Sequence, residues 1–195
     1  MMKLCERIRL RQKIRVMGID DSPFSHEQGQ SVLVSGIICA NTKFEGMIRT
    51  YIQKDGTDAT EKLISMITQS KFYRQVQVVL LDGITLGGFN IVNLAALSKA
   101  INLPCIAVMR RAPNLEAIAK ALSNLEDGEH RFSLIQQAGP VQKYRHFFFQ
   151  HHNCSSEEAG AILEYLTDTG HVPEALRMAH LINSAIVLGQ SNKRA

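Results

Sequence analysis

The sequence holds no uninterrupted apolar run near the roughly 18 residues that a membrane span requires, and its basic N-terminus is not followed by the apolar core and small-residue cleavage site of an export signal. A soluble, unexported protein of the cytoplasm is expected, with no membrane partner. Cysteine is sparse: Cys5, Cys39, Cys105 and Cys154 stand far apart and form no C-x-x-C pair. That argues against a zinc knuckle and a disulfide framework, and for reduced thiols. Low-complexity runs, internal repeats and linkers rich in Gly, Ser or Pro are missing too. The chain of 195 residues, 45% hydrophobic, is therefore expected to form one domain over residues 1–195 around one core.

Acidic residues are scarce in one place. Residues 1–15 carry six basic side chains (Lys3, Arg7, Arg9, Arg11, Lys13 and Arg15) against Glu6 alone, while the rest of the chain has 16 basic and 17 acidic residues. The whole positive excess lies in this N-terminal arm. Such an arm can neutralise phosphates and release counterions, which favours a nucleic-acid partner; a solvated helix or strand face has the same composition.

Hydrophobic patterning gives the order of elements. Ile14–Ile19, Ser31–Cys39 and Gly46–Gln53 read as strands able to form an antiparallel meander. Residues 58–69 read as a helix, with Asp58 or Thr57 as its N-cap. Gln75–Leu81 and Pro104–Met109 are short apolar runs of the kind that parallel sheets bury on both faces. Helices are expected over Asn90–Ile101, Asn114–Ser123, Ser155–Tyr165 and Pro173–Leu188, and a Phe-rich segment over Val141–Gln150. Ser155 with Glu158 has capping-box spacing, and Pro173 suits a first turn. Strand, helix, strand, helix implies right-handed parallel crossovers. The fold class expected is a three-layer α/β fold of ribonuclease H-like order, with a mixed sheet flanked by helices.

The chemistry-bearing residues are carboxylates at element ends. Asp20 and Asp21 follow the first strand, Asp82 the fourth, and Asp55 and Asp58 stand at the mouth of the first long helix. Strand-end side chains sit at the sheet edge where α/β sites form. Converging carboxylates repel one another unless a cation binds, and hard oxygen ligands suit Mg²⁺, with Mn²⁺ as substitute. Two such ions about 4 Å apart activate water and stabilise the leaving oxygen of a phosphodiester. Each acid also has an ordinary reading as a turn residue or helix cap. Adjacent strand residues point to opposite faces, so only one of Asp20 and Asp21 is expected to face a metal. The glycines around Asp82 lack the lysine and spacing of a phosphate loop. His146, His151, His152 and Cys154 are close in sequence, but strand alternation separates them and argues against zinc; Phe147–Phe149 could stack bases, although such a triplet is more often core and sheet packing.

Four motifs then stand out: Gly18-Ile-Asp20, Leu81-Asp82-Gly83, Leu103-Pro-Cys-Ile-Ala-Val108 and Pro173-Glu-Ala-Leu-Arg177-Met-Ala-His180. Their order resembles endonuclease V, a Mg²⁺-dependent nuclease of ribonuclease H-like fold that recognises deaminated bases. Still more closely it resembles a mainly archaeal sister family, endonuclease dU, over about residues 14–190. The resemblance implies that Asp20 and Asp82 are metal ligands, with Asp58 as third ligand and Asp55 as its alternative. It places His180 near the metal, either at a metal-associated water or in packing, and makes Arg110 and Arg111 candidate phosphate contacts. The endonuclease V wedge Pro-Tyr-Ile-Pro is absent, and its His-Pro-Arg segment is replaced by Leu86-Gly87-Gly88-Phe89-Asn90. A lesion pocket could then involve Phe89 and Asn90, with Asn90 reading a base edge. The implied function is metal-dependent cleavage of nucleic acid, DNA before RNA, at or near uracil or hypoxanthine in repair. The alternatives are a non-catalytic nucleic-acid-binding protein on a nuclease scaffold and a hydrolase of small phosphorylated compounds.

Overall fold

Residues 4–25 and 29–191 are described by a computed structural model; Lys3 of the basic arm lies outside them. Seven strands form one mixed sheet. Strands β1 (Arg15–Asp21), β2 (Ser31–Ala40) and β3 (Lys43–Gln53) make the antiparallel meander. Strand β4 (Val78–Asp82) joins β1 in parallel, and β7 (Cys105–Met109) joins β4 in parallel. Strand β9 (Phe147–His152) returns antiparallel to β7, and β8 (Gln142–Tyr144) closes that edge. The spatial order is β3-β2-β1-β4-β7-β9-β8.

The apolar runs in the central strands follow from burial on both sides, and the two-residue period sorts them. Met17, Ile19, Val79, Leu81, Cys105 and Ala107 enter one core layer, under helices α2 (Ala59–Thr68), α3 (Leu94–Ile101), α4 (Leu115–Leu122) and α5 (Gly128–Gln137). Val16, Val78, Leu80, Ile106 and Val108 enter the other, under α6 (Ser156–Tyr165) and α7 (Glu174–Leu188). Phe147 and Phe149 are buried in that second layer, as packing residues. The Ser155–Glu158 capping box is complete, Pro173 takes the N-cap position of α7, and Gly189 ends that helix in the left-handed conformation.

Several elements differ from expectation for local reasons. The basic segment is not a free arm: Leu4–Arg9 is helix α1, whose Leu4 and Ile8 pack on the second core layer, and Arg15 and Lys13 meet Glu45 at 2.6 and 4.0 Å. The helix expected from Asn90 begins at Leu94. Asn90–Ile91 is instead strand β6, paired with β5 (Thr85–Leu86) in a hairpin, and the Asn93 side chain accepts from the Ala96 N–H to start α3. Strand β4 starts only at Val78, whereas β3 starts three residues early, at Lys43. The Val141–Gln150 segment is two strands, because Arg145 turns at φ 53°. Helix α5 has no sequence counterpart: GEHRFSLIQQ buries only Gly128, Arg131 and Ile135 and shows no clear apolar stripe. Among the described residues no helix is long and apolar enough to cross a membrane.

Candidate metal centre

Asp20 and Asp82 come together at the carboxyl ends of the two central parallel strands. Ile19 pairs with Leu81, so the next residues, Asp20 and Asp82, stand side by side. Alternation from Met17 and Ile19 turns Asp20 to the α7 face and Asp21 to the opposite one. This is the division expected of the Asp20-Asp21 pair. Asp20, Asp82 and His180 are the described residues whose ligand atoms form a metal-sized group, all within 4.8 Å of one another.

Helix α7 brings the third member. Its motif is a set of contacts along one face: Glu174 is buried and binds Arg177 at 2.7 Å, Ala175 lies against Gly18, and His180 Nδ1 stands 3.2 Å from Asp20 Oδ2. Three residues on, Asn183 donates from Nδ2 to the Asp20 carbonyl oxygen at 2.8 Å. Asp20 Oδ1 accepts the backbone N–H of Asp21 at 2.9 Å, so in this buried residue each carboxylate oxygen has one partner and the main-chain carbonyl a third.

The pair is electrostatically undercompensated. Burial, then the charge of Asp20, pushes the Asp82 carboxyl up to about 6, against the pull of Arg110. Arg110, half-exposed, stands 3.5 Å from Asp82 Oδ2, so the expected phosphate contact is at present an ion pair with the site. Arg111 is exposed beside it. The bond to Asp20 raises the pKa of His180. Two adjacent carboxylates suit a divalent cation that prefers oxygen ligands, with the imidazole beside them.

The remaining expected residues occupy the other face. Asp58 precedes α2, and its Oδ1 accepts from the Gln53 backbone N–H at 3.1 Å and from Asn90 Nδ2 at 2.7 Å. Asp55 turns at φ 52° and its Oδ1 accepts from the Phe89 N–H at 2.8 Å. The structure therefore puts His180, rather than Asp58 or Asp55, with Asp20 and Asp82: α2 packs on the sheet face that the Asp20 side chain points away from. Asp21 accepts the Gly87 N–H on that same side, and burial followed by the charge of Asp20 pushes it up to about 7.

Asn90 is likewise engaged within the protein. It is fully buried; its amide donates to Gln53 O and Asp58, and its Oδ1 accepts the Ala59 N–H at 3.0 Å. It performs the capping bond expected of Asp58, whose own side chain makes none, and no edge is left for a base. Phe89 packs on the first core layer and its carbonyl accepts from Arg131, which also reaches Gly56 O. Two cavities, of about 290 and 860 Å³, open near Asn102 and Asn153; neither is lined by Asp20 or Asp82.

Sequence reading missed Asn183 and Ser35, the cross-strand partner of Asp20. The helical spacing His180, Asn183, Ser184 on a face otherwise filled by Ala175, Leu176 and Ala179 carries that signal.

Known proteins resemble this chain along nearly its full length. A UPF0215 protein of Methanosarcina barkeri is 37% identical over 190 residues, covering 95% of this chain and 97% of the relative. The crystal structure of a protein of unknown function from Archaeoglobus fulgidus superposes with a TM-score of 0.85 at 37% identity, over 89% of this chain and 98% of that one. The catalytic domain of human endonuclease V aligns at 15% identity with a TM-score of 0.62, over 96% and 89% of the two chains, and the fold is accordingly ribonuclease H-like. Residues 12–187 match the family described as Endonuclease dU, and the chain belongs to that family.

Proposed function

We propose that this protein is a divalent-metal-dependent endonuclease that cleaves nucleic acid, DNA before RNA, at or near a deaminated base. The observation that carries the reading is the grouping of Asp20, Asp82 and His180 at the ends of β1 and β4, in a chain of a nuclease family. An endonuclease V of Ciona intestinalis, 17% identical, was solved with DNA containing inosine; it aligns over 87% of this chain and 84% of its own, with a TM-score of 0.57. That likeness supports a nucleic-acid substrate.

Asp20 and Asp82 are the residues that would hold the cation, Mg²⁺ or Mn²⁺. Bound there, it supplies charge neutralisation for a phosphodiester and makes water a stronger nucleophile. The protein's own groups do the rest. His180 and the Asp21 N–H hold the Asp20 carboxylate while Asn183 holds its main-chain carbonyl, so little ordering remains to be done when substrate arrives. With Nδ1 of His180 engaged by Asp20, Nε2 is the nitrogen left to exchange a proton with the reacting groups. Arg110 exchanges its Asp82 partner for a phosphate, and Arg111 adds a second contact.

The test is cleavage of labelled DNA and RNA carrying uracil, hypoxanthine or no lesion, with Mg²⁺ or Mn²⁺, beside Asp20→Ala and Asp82→Ala. Lesion-dependent cuts lost in both variants are expected. Folded protein that binds nucleic acid without cutting any of these substrates would sink the enzyme reading in favour of a binding protein.

A further inference from the structure

Behind Asp20, where α7 lies on β1 and β2, three buried polar atoms have no hydrogen-bond partner within the protein: Ser35 Oγ, Asn183 Oδ1 and Ser184 Oγ. All three residues are at 0% exposure. Their positions are related. Ser35 pairs with Asp20 across the strands, and the two-residue period that buries Ile37 and Cys39 in the layer under α7 turns Ser35 to the same face. Asn183 is tied to the Asp20 carbonyl, and Ser184 is the next residue of the helix.

A buried amide oxygen or hydroxyl left unpaired carries its full desolvation cost, so each of the three calls for a partner between α7 and the sheet. Oδ1 of Asn183 only accepts, whereas each hydroxyl can donate or accept. One water can donate to Oδ1 and to one hydroxyl while accepting from the other, which matches the roughly three bonds of a typical buried water.

We propose that this seam binds an ordered water through Ser35, Asn183 and Ser184, and that Asn183, oriented by that water, is a positioning residue for Asp20. With Oδ1 committed to the water, Nδ2 must face the Asp20 carbonyl. A flipped amide would instead set oxygen against oxygen. The inference rests on the reading of Asp20 as a metal ligand, and two measurements separate the two ideas.

The first is thermal unfolding of the full chain in chelator, for Ser35→Ala and Ser184→Ala. Each is expected to lower Tm by about 2–4 °C, because the water loses a partner. An unchanged or raised Tm in both variants overturns the water, since deleting a hydroxyl that has no partner relieves a cost. The second is Mn²⁺ affinity by calorimetry. Asn183→Leu is expected to weaken binding about 10- to 100-fold, and the serine variants several-fold. Unaltered affinity in Asn183→Leu, or in both serine variants should the leucine variant fail to fold, overturns the positioning role. Wild-type protein showing no Mn²⁺ binding that Asp82→Asn abolishes would defeat the metal reading, and the unfolding comparison would still decide the water.

Discussion

Gly18 of β1 and Ala175 of α7 approach so closely that a Cβ at position 18 would lie 2.5 Å from the Ala175 carbonyl carbon and 2.7 Å from its Cβ. The helix carrying His180 and Asn183 therefore sits on backbone, and its height above the sheet is fixed there.

Gly18→Ala is expected to lift α7 and to destabilise the protein by about 1–3 kcal/mol through overpacking. Urea unfolding gives the loss. Because His180 and Asn183 move with the helix, metal affinity should fall in the same variant; a stable variant with unchanged affinity would contradict this account.

The acidic edge sets a pH dependence. The carboxyls of Asp82 and Asp21, raised to about 6 and about 7 from an ordinary 3.8, keep protons in the folded state that the unfolded chain has already released. Stability of the metal-free protein should thus fall as pH rises from about 4 through about 7. Asp82→Asn should flatten part of that slope. Tm measured across the range in chelator checks the sign, and Mn²⁺ should restore Tm most above about pH 6, where Asp82 ionises.

Asn90→Ala should cost about 2–3 kcal/mol, since it strands the Ala59 N–H and one side of Asp58. Asp58→Ala should likewise lower stability while leaving Mn²⁺ affinity as it was. Loss of that affinity in Asp58→Ala would return Asp58 to the metal.

Arg110→Ala and Arg111→Ala should each reduce the slope of log affinity against log salt by about one, if each neutralises one phosphate. Anisotropy with labelled DNA at several salt concentrations measures it. Arg110→Ala should also raise the Asp82 pKa, because Arg110 holds it down.

Much of the scaffold was legible because burial on both faces leaves an unambiguous apolar run, as at Val78–Leu81, and because strand ends there coincide with Asp20 and Asp82. Alternation also indicated that Asp20 and Asp21 point to opposite faces, while the choice of Asp20 came from the family motif. What could not be read was which face an acidic loop residue would serve. Asp58 has the composition of a ligand and the position of a cap, and it took a partner, Asn90, 32 residues away that no local pattern announces. Helix α5 escaped because its burial rests on Arg131, whose guanidinium is satisfied by carbonyls of two remote loops rather than by an apolar stripe.

The contact between His180 and Asp20 joins residues 160 positions apart. During synthesis both carboxylates emerge well before their imidazole, so a chain interrupted between them lacks the helix that completes the cluster. Assembly of the centre thus reports that translation has reached the end of α7, and fragments ending before Glu174 are expected to be inert.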